Sequence, residues 1–128
     1  MSILKALPLV AALFLGSAAF AQEIVGSYVA YIGQDDLYNS KGDRLTEPWQ
    51  VLRQDRANYH RYGISQRGDE WDSFFGSIEN RGIMERMVMN GSIDPQAARN
   101  LVRGGATVFV RIYGRGSRGD YVRVTVVR

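Results

Sequence analysis

An α+β fold, in which a small antiparallel sheet carries about three helices on one face, is what this sequence predicts, and three observations lead to it. Residues 106–113 and 121–127 alternate apolar with polar residues and lie either side of a glycine-rich stretch, the pattern of a terminal β-hairpin. Residues 24–32 share the Val, Ile and Tyr enrichment of strands. Between these outer segments, apolar residues recur at spacings of three and four behind recognisable caps, the signature of amphipathic helices.

The chain opens on Met1 to Lys5, then an uncharged apolar run over residues 6–15, then Ala19-Phe20-Ala21. This is the order of a secretory signal with a small-x-small cleavage site. An uncleaved anchor is the weaker reading, because spanning the hydrocarbon takes about 20 apolar residues and Pro8 and Gly16 interrupt this shorter stretch. A lipid anchor would need a cysteine, and the sequence has none. Residues 1–21 are therefore expected to be a cleavable signal peptide and residues 22–128 a single globular domain, exported to the periplasm or the cell exterior, with no membrane span after cleavage. A domain of that length can bury one core without disulfide staples.

After the first strand, residues 39–43 read as a turn by composition. Thr46 is the expected cap of a helix with an early Pro48, followed by Trp49, Leu52, Arg53, Arg56 and Tyr59 as far as about Tyr62. Residues 63–73 form a polar loop. Ser77 should cap a second helix with Ile78, Met84, Met87 and Val88 at core-like spacings, ended by Asn90-Gly91 and weakened by Gly82. Asp94 followed by Pro95 opens a third, which Gly104-Gly105 closes. The two tryptophans and the phenylalanines are expected to supply much of the core.

Pairing Tyr113 with Tyr121 in the hairpin places Ile112 opposite Val122, Val110 opposite Val124 and Val108 opposite Val126, one wholly aliphatic face. A slip of one residue would mix the faces, so the pattern sets the register. The opposite face then carries Phe109 beside Thr125, Arg111 beside Arg123, and Tyr113 beside Tyr121. Two arginines directly across a sheet repel by about 0.2–1 kcal/mol, so an acidic or aromatic group is required near them. One way to meet that requirement is a carboxylate from the polar loop, such as Asp69, Glu70 or Asp72. The other is an open face that grips an anion, with Phe109, Tyr113 and Tyr121 as flat surfaces and Arg111 and Arg123 as forks for carboxylate or phosphate.

Charge is unevenly spread. Residues 22–80 hold six basic against ten acidic residues, and residues 81–128 hold nine against three. A basic C-terminal half fits an anionic partner. The expected function is thus an exported, non-enzymatic protein that binds an anionic ligand or an acidic protein surface. Nucleic acid is not the expected partner, since aromatic and basic residue types alone do not make a known module.

Two alternatives belong to other classes. A small hydrolase of phosphodiesterase type would centre on His60, the sole histidine, with Glu70 or Glu79 and nearby arginines. No carboxylate stands three or four residues from His60 to orient it, and 63–67 lacks the closing glycine of a hydrolase elbow. A structural envelope component would need no ligand. No cofactor is expected. Asp69, Glu70 and Asp72 are the only metal-ligand candidates, and their spacing is not that of an EF-hand.

Overall fold

The strongest element in the sequence is also the centre of the sheet. In the computed structural model, which describes residues 22–128, strands β3 (Ala106–Arg115) and β4 (Arg118–Val127) form an antiparallel hairpin. Val108 faces Val126, Val110 faces Val124 and Ile112 faces Val122, and Arg111 stands opposite Arg123, the register that the alternation requires. Val108, Val110, Ile112 and Val122 are wholly buried.

The connection differs from the long glycine loop expected over residues 114–120. Pairing continues through Gly114↔Gly119 and Arg115↔Arg118, leaving a two-residue turn at Gly116-Ser117. Gly116 has a φ of 62°, as the primed turns of tight hairpins require. The other two glycines serve close approach: a Cβ on Gly114 would meet the Arg118 carbonyl, and one on Gly119 would enter the Phe74 ring. Asp120 is the extra residue of a bulge between Tyr113 and Gly114.

Strand β1 (Glu23–Ile32) pairs antiparallel with β3. Its Tyr28, Ala30 and Ile32 enter the core, while Ser27, Val29 and Tyr31 stand opposite Arg111, Phe109 and Thr107. A fourth strand, β2 (Ser92–Ile93), lies parallel to β4, so the order is β1-β3-β4-β2 and the sheet is mixed. Two residues are too few to show a period, which is why β2 left no trace in the sequence.

Four helices, one more than expected, pack against the aliphatic face. Helix α1 (Pro48–Ala57) begins at Glu47 rather than Thr46, because the residue before a proline is held extended, here at φ −113° and ψ 143°. Gln50 Oε1 accepts from the backbone N–H of both Thr46 and Glu47. The α-helix passes into a π-helical turn over Asn58–Tyr62. The segment after Ser77 divides at Ile83 into α2 (Ile78–Gly82) and α3 (Met84–Met89). Met84 and Met87 are buried, but Ile78, placed by spacing in the core, is exposed. Helix α4 (Pro95–Arg103) follows its expected caps: Asp94 accepts from the Gln96 and Ala97 N–H groups, and Gly104 ends it at φ 83°.

Leu52, Phe75, Met84, Met87 and Leu101 close over the valines of the hairpin. Trp71 takes no part and is exposed. Among the described residues no helix is long and apolar enough to cross a membrane. The signal-like segment falls on residues 1–21, outside the described residues.

Candidate functional site

Helices on one face leave the other face of the hairpin to solvent. Thr107, Phe109, Arg123 and Thr125 are exposed, and Arg111, Tyr113 and Tyr121 are half-buried among them. The sheet register thus brings all five residues singled out as ligand contacts onto one surface. Tyr113 and Tyr121 stack with ring centroids 4.9 Å apart and planes at 8°. The Arg123 guanidinium lies 5.0 Å from the Tyr113 ring and 5.9 Å from the Tyr121 ring. The Arg111 guanidinium instead lies 5.4 Å from the Phe109 ring, and its Nη2 reaches Thr125 Oγ1 at 3.4 Å.

Aromatic rings therefore answer the cross-strand repulsion, each guanidinium resting on a negative π-face. Among the described residues no carboxylate forms an ion pair with Arg111 or Arg123. The Arg111 Nε–H is buried with no acceptor, a donor left unsatisfied at a cost.

The three loop carboxylates that could have neutralised these arginines are employed elsewhere. Asp69 Oδ1 accepts from the Tyr31 N–H at 2.7 Å and Oδ2 from the Gln66 N–H at 2.7 Å. Glu70 accepts from the Val29 N–H through Oε1 and donates its own N–H to the Val29 carbonyl, both at 2.8 Å. These bonds seal the outer edge of β1, where unpaired strand groups would otherwise invite aggregation. Asp72 turns inward. Among the described residues no three or more His, Cys, Asp or Glu side chains gather as a metal site.

Asp72 belongs to a buried network built on Arg56, which is wholly enclosed. Arg56 Nη1 donates to Asp72 Oδ1 at 2.8 Å and to the Glu70 carbonyl at 2.9 Å, while Nε donates to Asp55 Oδ2 at 2.8 Å. Its guanidinium lies 4.0 Å from the Tyr28 ring and 4.8 Å from the Tyr59 ring. Burial pushes the Asp55 carboxyl up to about 8 against the pull of the Arg56 guanidinium beside it. Asp36 is likewise raised by burial, although Asn58 Nδ2 at 2.9 Å favours its charged form.

The same network accounts for His60. Its Nε2 lies 2.9 Å from Asp72 Oδ1, and the second Asp72 oxygen accepts from the Phe75 N–H at 2.6 Å. An orienting carboxylate exists, supplied from twelve residues away rather than from the helix, but it is shared with Arg56. Glu70 is spent on β1, and Glu79 accepts from the Ser77 hydroxyl at 2.9 Å. The surface clefts around Arg44 and Val102, around Tyr38 and Tyr62, around Arg53 and Ile78, and around Arg115 and Asp120 do not include His60.

The sequence reads Arg53, Arg56 and His60 as one helix face that either is solvated or, the favoured reading, pins the neighbouring 63–73 loop, and Arg56 does pin it, as a buried clasp between α1 and the loop. A signal was present: Arg56 falls four residues after Leu52 and three before Tyr59, on the apolar side of the helix. Comparison with family models, with curated proteins and with solved structures gives no match for this chain.

Proposed function

We propose that this is an exported, non-enzymatic binding protein that captures an anionic ligand, or an acidic segment of a partner protein, on the open face of its terminal hairpin. The observation that carries this reading is a pair of guanidiniums facing each other across β3 and β4, exposed or half-exposed, backed by three aromatic rings and paired with no carboxylate among the described residues. Arginine forks present parallel N–H donors that match carboxylate and phosphate oxygens. The rings pre-orient those forks, so little side-chain freedom is left to lose on capture.

The test is salt-dependent binding of polyglutamate, an anionic probe with regular carboxylates. Arg111→Glu reverses one charge on an exposed face and abolishes capture at about 0.1 M salt, where the screening length is about 10 Å. His60→Ala, checked for folding, leaves capture unchanged. Loss of an activity with His60→Ala while Arg111→Glu is silent would reverse the assignment in favour of a hydrolase, and indifference to both would leave a structural role.

A further inference from the structure

A second site lies far from the hairpin face in chemistry. The short 3-10 turn at Gln34–Leu37, helix α1 and the π-helical turn enclose a cleft of about 290 Å³. Its lining includes Tyr38, Tyr62 and Ile64, which are 41%, 48% and 38% exposed, together with Asp35, Gln54 and Asn58. Three large apolar side chains left in solvent at one spot mark a surface shaped for contact. The π-helical turn points the same way, since such turns cost helix geometry and concentrate at functional positions.

From this cleft we infer a binding subsite for a neutral sugar ring, a pyranose of an oligosaccharide. The polar groups are arranged for hydroxyl recognition. Asn58 is spent internally: its Nδ2 donates to the Asp35 carbonyl at 3.1 Å and to Asp36 Oδ1 at 2.9 Å, and its Oδ1 accepts from Gln54 Nε2 at 2.8 Å. That chain fixes the Gln54 side chain and leaves its Oε1 without a donor among the described residues. The Asp35 carboxylate is also unpaired among them. Acceptors held in place beside flat apolar rings suit a ring that offers hydroxyl donors at its rim and C–H groups on its face.

Charge removes the other small-ligand classes. An anion would meet the unpaired Asp35, and neither Arg44 nor Arg61 is among the residues that line the cleft. A quaternary ammonium would favour tyrosine faces, but Arg44 already lies 5.8 Å from the Tyr38 ring and Arg61 lies 5.2 Å from the Tyr62 ring, each presenting a like charge. The volume, just below the range of roughly 300–1,000 Å³ usual for ligand pockets, fits one sugar ring.

The experiment is titration of the ¹⁵N-labelled protein with cellotetraose, maltotetraose and chitotetraose, each to about 10 mM, followed by backbone amide shifts. At least one saccharide shifts the amides of Tyr38, Gln54 and Tyr62, with a dissociation constant on the order of 1 mM. Tyr62→Ala and Asp35→Ala each weaken that binding by about tenfold, Tyr62→Trp retains it, and Arg111→Glu leaves it unchanged. Tyr62 is exposed, so its replacement leaves the core intact. The inference is overturned if none of the three saccharides moves these amides, if choline moves them and the saccharides do not, or if Tyr62→Ala binds as well as the parent. Failure here would leave polyglutamate capture on the hairpin face untouched, because the two sites use different residues and probes.

Discussion

Replacing Arg56 by methionine removes the one buried cation between helix α1 and the 63–73 loop. Three hydrogen bonds disappear together: to Asp55 at 2.8 Å, to Asp72 at 2.8 Å and to the Glu70 carbonyl at 2.9 Å. Asp72 keeps the Phe75 N–H and His60 but loses its buried countercharge, and the guanidinium contacts with Tyr28 and Tyr59 go as well. Breaking a buried pair from one side typically costs about 3–5 kcal/mol, because the abandoned partner stays desolvated. A domain of this size has about 5–15 kcal/mol in total, so the variant should sit near the edge of folding. Arg56→Lys separates charge from geometry. It keeps the cation, but an ammonium cannot reach Asp55, Asp72 and the Glu70 carbonyl as the planar fork does, so an intermediate loss of about 1.5–3 kcal/mol is expected. Urea unfolding followed by tryptophan fluorescence measures both. A methionine variant within about 1 kcal/mol of the parent would refute the clasp.

Three further outcomes follow from the same packing. Stability should fall as pH rises from about 4 to about 8: burial raises the folded-state Asp55 pKa to about 8, and that of Asp36 also upward, so the folded protein binds more protons than the unfolded chain over that window. Urea midpoints at pH 5 and pH 8 measure the slope, and Asp55→Asn should flatten it. Gly119→Ala should cost about 1–3 kcal/mol in thermal unfolding, since its Cβ would press on Phe74 and, at 2.7 Å, on Met87 Cε. Asp94→Ala removes the acceptor for two N–H groups at the start of α4 and should cost about 1 kcal/mol in the same assay.

The hairpin was legible because alternation with period two leaves only one register that turns Val108, Val110, Ile112, Val122 and Val124 together to the core, and Phe109, Arg111, Tyr113, Tyr121 and Arg123 followed from it without further information. Helix α4 was legible for a local reason as well, its Asp-Pro start and Gly-Gly stop. What escaped depends on contacts between distant segments. Gly114 and Gly119 read as loop residues, yet they sit in strands because another backbone or ring needs their space. Asp69 and Glu70 read as solvated or as partners for arginine or metal, while the unpaired N–H groups of β1 claim them. Arg56 was legible only in part: its spacing from Leu52 and Tyr59 sets it on the apolar side of the helix, but its partners Tyr28, Asp72 and the Glu70 carbonyl come from distant segments.

The most direct measurement of anion capture by the hairpin face follows the side-chain Nε–Hε resonances of the arginines during titration with polyglutamate. Arg111 and Arg123 should shift together and saturate at one dissociation constant, with the aromatic protons of Tyr113 and Tyr121 moving alongside them. Arg56, wholly enclosed, should stay still. Saturable shifts confined to arginines outside this face, or no saturation at Arg111 and Arg123, would contradict it.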